Sequence, residues 1–261
     1  MSKKIAIIGG GIIGCLTAIK LKESGFEVLV IDKHEIGKES SWAGAGILFP
    51  LMPWNYQPKI YDLSKLASSY YENFSNKLYE LTGIDPEYKK TGMTLIPPFD
   101  KDNAIKWANK QNLPYEEIYF RNSESIHFPS VAQIRSPRLM KSIKLFMKKI
   151  GIKIIENMEL DEIGHVKGVV KKWPTKTNSF IEADYFVITS GAWTSNLKKN
   201  YKSKIYPVRG QMIQYKISNL NIGEILYSND FYILQRKDGV IIAGSTIEEV
   251  GFDETVTIDK K

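Results

Sequence analysis

Residues 4–14 read KIAIIGGGIIG, and the fold turns on them. Lys4 to Ile8 is a short apolar run of the kind that forms a buried strand. Gly9-Gly10-Gly11-Ile12-Ile13-Gly14 follows at once. From Cys15 to Ser24, Leu16, Ile19 and Leu21 recur with lysines between them, which predicts a helix with one buried face. Gly25 ends it, Phe26 to Ile31 reads as a second strand, and Asp32 closes that strand. Each piece suits a dinucleotide. Gly9 permits a tight turn, Gly11 lets backbone approach a pyrophosphate, and Gly14 lets the helix pack close to the strand. The helix start offers unpaired N–H groups and a partial positive charge to phosphates. Asp32 lies 18 residues beyond Gly14, where a carboxylate can accept both hydroxyls of an adenosine ribose and would repel a 2′-phosphate. This fingerprint serves NAD and FAD alike.

Further out, Ser40-Ser41-Trp42-Ala43-Gly44-Ala45-Gly46-Ile47-Leu48 sets two hydroxyls before a run of small residues. Hydroxyls can meet phosphate oxygens, and a flat ring can lie against bare backbone. The same run also reads as a small-residue loop packed close to another element.

The chain has 261 residues, 43% of them apolar, enough for one large or two modest cores. Its net charge of +7 rests on scattered lysines, the densest runs being pairs such as Lys148-Lys149 and Lys171-Lys172. That pattern predicts a solvated surface, with no nucleic-acid partner. The lone Cys15 excludes a disulfide framework and reads as a small core residue. His34, His127 and His165 stand far apart, so no metal site is expected. The N-terminal lysines, apolar run and cysteine could suggest a secretion signal, but the glycines interrupt the run and a helix pattern follows, so a cytoplasmic location is expected. No apolar run is long enough for a membrane span.

The blocks GGGIIG and SSWAGAGIL resemble the family of FAD-dependent glycine and D-amino-acid oxidases, with Trp42 pointing to the glycine-oxidase branch of thiamine synthesis. Further matches come in family order: Ser136-Pro137-Arg138-Leu139, Asp184 to Trp193 (DYFVITSGAW), Pro207-Val208-Arg209-Gly210-Gln211, Leu226-Tyr227, Tyr232-Ile233 and Gly244-Ser245-Thr246. The resemblance implies FAD as cofactor. It places Ile12 and Ile13 at the pyrophosphate turn, Asp32 and Lys33 at the ribose, and Ser40 and Ser41 at the phosphates. Ala45, Gly46 and Ile47 would line the flavin, and Leu160 would sit at the adenine. Tyr232 would face the substrate with Ile247 nearby, although Tyr232 also reads as a half-buried strand aromatic. Arg209 reads as structural. The implied reaction is oxidative deamination of glycine or another small amine or D-amino acid, with hydride passing to flavin N5 and O2 or another acceptor taking the electrons.

The expected fold is α/β: a Rossmann-like FAD-binding domain from residues 1–85 and 137–203, and an antiparallel-sheet α+β substrate domain from 86–136 and 204–261. Leu63 to Leu81 carries apolar residues at helical spacing and reads as a core-packed helix, Lys89 to Ile96 as a strand, and Asp100 to Lys110 as a second helix. The family pattern continues past Gly244-Ser245-Thr246 with Gly-x-Arg-Pro, which carries the substrate-carboxylate arginine, and with a glycine-rich turn. Neither occurs here, and none of Arg121, Arg135, Arg138, Arg209 and Arg236 matches that anchor. The expectation is therefore a C-terminally truncated oxidase. Its rivals are a non-catalytic remnant, one chain of a split oxidase partnered by a separate C-terminal chain, and an NAD-dependent dehydrogenase; a homo-oligomer is also among the partners expected.

Overall fold

The computed structural model describes residues 2–163, 168–197, 205–217, 219–229 and 231–257; His165 and the expected boundary at 203–204 lie outside them. In chain order the elements are β1 (Lys4–Ile8), α1 (Ile12–Glu23), β2 (Glu27–Ile31), α2 (Ser40–Ala43), α3 (Pro58–Thr82), β3 (Lys89–Lys90), β4 (Met93–Leu95), α4 (Lys101–Gln111), β5 (Glu116–Phe120), β6 (Ser123–Phe128) and β7 (Ala132–Gln133). Then follow α5 (Ser136–Lys149), β8 (Lys153–Ile155), β9 (Lys172–Pro174), β10 (Phe180–Glu182), β11 (Tyr185–Ile188), α6 (Thr194–Leu197), β12 (Met212–Lys216), β13 (Ile225–Tyr227), β14 (Tyr232–Gln235) and β15 (Val240–Gly244).

Two units emerge: 1–44, 78–85 and 136–207, and 45–77, 86–135 and 208–261. In the first, parallel strands run in the order β11-β1-β2-β8. The last four residues of β1 and of β2 are buried on both faces, as covered parallel strands must be. One face packs Ala6, Ile8, Leu29 and Ile31 against Leu160, Trp173, Ile181 and Leu197. The glycine turn leaves β1 at its C-terminal end, beside the ends of β2 and β11, where open α/β sheets bind ligands.

The second unit holds a sheet in the order β12-β15-β14-β13-β4-β6-β5, antiparallel except where β4 and β13 run parallel. The strand expected over Lys89–Ile96 is two pieces. Gly92 sits between them at φ +73°, and a side chain there would strike the His127 ring. Residues 45–77, expected in the first part, belong to this unit. Phe49 stacks on Phe128 and meets Tyr61 and Trp107 edge-on, so the segment is fastened by an aromatic cluster rather than by the nucleotide sheet.

The core-packed reading of α3 holds at Leu78 and is corrected at Leu63, Leu66 and Tyr70. Leu63, Leu66 and Tyr70 are exposed, while Tyr61, Ser75 and Leu78 are buried. Two stripes run along this helix, and the more apolar one faces outward.

Candidate functional site

Gly9 has φ +107°, and a Cβ on it would lie 2.5 Å from the Thr189 carbonyl oxygen. Only glycine fits there. A Cβ on Gly14 would lie 1.9 Å from the Gly9 oxygen, so α1 rests directly on the turn. Gly11 differs. Its φ of −71° and ψ of −177° are open to any residue, and a Cβ would meet only Ser41 Oγ, at 3.1 Å. The fold does not need its bareness. Gly10 carries a role the pattern did not assign: its N–H donates to Asp32 Oδ2 at 2.6 Å, and a Cβ would lie 2.0 Å from Ile36 Cδ1.

A cleft of about 470 Å³ opens over this turn within the first unit. It gathers Gly9, Gly11, Ile12, Ile13, Asp32, Lys33, Ser40, Ser41 and Leu160 of the expected cofactor residues; Gly14 is buried behind it. Asp32 Oδ1 accepts from the His34 N–H at 2.8 Å, so backbone donors orient both carboxylate oxygens. Each oxygen has a second lone pair to offer. Ser41 Oγ accepts from the Ile12 N–H at 2.9 Å and so caps the start of α1. That start has no acidic residue in its first turn, leaving its positive end uncompensated within the helix. His34 Nδ1 pairs with Glu39, which also lines the cleft. Cys15 lies beneath, fully buried, its thiol pushed up to about 12 by burial, so it is inert packing rather than a redox group.

Reading by motif missed Thr189, Ser190 and Trp193. Thr189 Oγ1 donates to the Gly9 oxygen at 2.8 Å and braces the turn. Trp193 lines the cleft with Lys33 Nζ 4.0 Å over its ring centroid. The fold brings them there: β11 pairs with β1 in register, Ile8 with Ile188, so whatever follows β11 borders the glycine turn.

Ala45, Gly46 and Ile47 lie in the second unit. Gly46 accepts from the Ile134 N–H, Leu48 donates to the Ala132 oxygen, and Ile47 bridges Gln133, making an edge beside β7. The Ile47 N–H has no acceptor among the described residues. Tyr232 is buried in β14 and its Oη donates to Met212 Sδ at 2.8 Å; burial pushes its phenol up. Ile247 is 83% exposed, so its side chain stands largely in solvent. Arg209 is engaged by Glu248 at 2.8 Å and by Asp253 at 3.0 Å, as a structural residue would be.

Among the described residues no cluster of His, Cys, Asp or Glu could hold a metal ion, and no helix is long and apolar enough to cross a membrane.

The family model described as FAD dependent oxidoreductase, DAO, matches residues 4–261. The chain belongs to the DAO family. The glycine oxidase of Pseudomonas putida is 32% identical over 99% of this chain and 75% of its own length. The bifunctional protein ThiO/ThiG of Trichormus variabilis is 26% identical over 97% of this chain and 41% of its own length. Among solved structures, glycine oxidases from Bacillus cereus and Geobacillus kaustophilus superpose with TM-scores of 0.87 and 0.88 at 23% and 19% identity, covering 99% of this chain and 75% of theirs, and share its fold. FAD is the cofactor of DAO proteins. The cleft suits it: the open space at Gly11 is space a side chain would fill, and the start of α1 faces that space.

Proposed function

We propose that this DAO protein oxidises a small amine or amino acid, with glycine the first candidate. The observation that carries this reading is the 32% identity to a glycine oxidase across 99% of the chain. In this reading the bare backbone at Gly9 and Gly11 and the start of α1 hold the pyrophosphate. Asp32, already oriented by the Gly10 and His34 N–H groups, takes the ribose hydroxyls with Lys33 beside it, and Ser40 and Ser41 meet the phosphates. Leu160 borders the adenine. Ala45, Gly46 and Ile47 offer a backbone edge to the flavin ring. FAD, when bound, supplies the acceptor for a hydride leaving the substrate α-carbon. Tyr232, held by Met212, gives the substrate a fixed wall, and Ile247 is a candidate lip beside it. The chain's task is to orient the α-carbon and exclude water rather than to supply an acid or base.

Reconstitution with FAD followed by desalting tests the cofactor, and the visible flavin band should persist. Oxidation of glycine, sarcosine or D-alanine, followed as peroxide or as reduction of an artificial acceptor, tests the reaction. Retention of NAD without FAD would turn the reading toward a dehydrogenase. FAD retention with no amine oxidised would leave a binding protein. A rate that rises only when the C-terminal segment of a glycine oxidase is added would show that the reaction needs that segment as well.

A further inference from the structure

Arg236, directly after β14, is buried to 6% exposure. Its Nη2 donates to the Ala45 carbonyl at 2.5 Å, and its Nη1 to the Ile134 carbonyl at 3.1 Å and to Gln133 Oε1 at 2.9 Å. Its Nε is buried without a partner, and no carboxylate pairs with it among the described residues. Burial pushes the guanidinium down to about 10, with the nearby Arg135 adding to the effect, yet it remains charged at neutral pH.

A buried cation without a contact counter-ion is costly, so these three acceptors are what hold it. They belong to the two strips of chain that pair with each other: Ala45 heads the small-residue segment, and Gln133 and Ile134 form its partner. The Ile134 N–H donates to the Gly46 oxygen at 2.8 Å and the Leu48 N–H to the Ala132 oxygen at 2.9 Å, so Arg236 clips shut a ladder of only two such bonds. In this wide pairing the Ile47 N–H and carbonyl point away from Gln133, and that N–H is left without an acceptor. We infer that Arg236 is a positioning residue that locks Ala45–Gly46–Ile47 so that the free backbone edge of Ile47 is held ready for a planar ligand edge carrying a donor and an acceptor. Identifying that ligand as the flavin rests on the proposed function; the clamp itself does not.

The test uses the full chain with Arg236→Met, Arg236→Lys and a core control, Ile126→Val. Amide exchange read by mass spectrometry on cofactor-free protein should show Leu48 and Ile134 opening at least about tenfold faster in Arg236→Met, the scale of a lost charged hydrogen bond. Arg236→Lys should recover part of that protection, and Ile126→Val none of the change. With FAD added, Arg236→Met should bind about ten- to a hundredfold more weakly. Its flavin band should move toward that of free FAD, with Arg236→Lys between it and the wild type. Wild-type protection of Leu48 and Ile134 in Arg236→Met would overturn the clamp. An equal change in Ile126→Val would do the same, since it would mark a general loss of stability. Failure of the wild-type chain to bind FAD would sink the functional reading, while the exchange result would still decide the clamp.

Discussion

Gly11 and Gly14 separate what the fold requires from what a ligand requires. A methyl on Gly14 collides with the Gly9 carbonyl, which is backbone and cannot rotate away. Gly14→Ala should therefore cost about 1–3 kcal/mol through overpacking, read as a lower midpoint in urea, and should lose cofactor as well. Gly11→Val meets only the Ser41 hydroxyl and keeps an allowed backbone. Its cost to folding should be about 1 kcal/mol, the difference between a good and a poor N-cap, while FAD retention after desalting is lost. Unchanged FAD affinity in a folded Gly11→Val protein would show that the turn serves the fold alone. At this scale the tight turn at Gly9, the close packing at Gly14 and the place of Asp32 just past β2 were legible from the order of strand, glycines and helix. Ile36, Thr189 and Trp193 were not, because what they touch is decided by strands and turns far away in the chain.

At the scale of elements, α3 shows where periodicity stops informing. A 3.6-residue repeat says that a helix has an apolar face but not which of two adjacent stripes is covered. The covered stripe includes Ser75, which hydropathy discounts, beside Tyr61 and Leu78. Leu66→Ala should thus shift stability by no more than about 0.5 kcal/mol, whereas Leu78→Ala should cost about 2–5 kcal/mol; comparable losses in both would restore the core reading of the outer stripe. A second tie joins α5 to the strand that follows it. Burial works against the Glu156 carboxylate, but Lys144 Nζ at 2.5 Å and the Ile36 N–H at 2.7 Å outweigh it and hold its pKa below the usual range. A lowered folded-state pKa gives stability that is full above the unfolded value of about 4.3 and is lost as pH falls through the folded value. Glu156→Gln should cost about 1–3 kcal/mol at pH 7 and progressively less below pH ~4, measured by chemical denaturation across pH. A pH-independent loss would point to packing instead.

For the molecule as a whole, the sequence disclosed two sheet-based units and the sense of each. It did not disclose that residues 45–77 join the second, because the aromatic contacts that recruit them, Phe49 to Phe128 and Tyr61 to Trp107, have no local periodicity. Binding of FAD to native chain should stabilise it by mass action, about 2.7 kcal/mol at a hundredfold excess over Kd. A thermal midpoint that rises with FAD and not with equal NAD would agree; no rise with FAD would count against cofactor binding. The strand order β11-β1-β2-β8 has a consequence for the chain as it is made. Strands β1 and β2 leave the ribosome early, yet their outer neighbours begin at Tyr185 and Lys153. At about 5–20 residues per second, the bare flank of β2 waits on the order of 6–24 s for β8. For that interval the nascent chain exposes two unpaired strand edges, so its yield in the cell should depend on chaperones and on the pace of translation.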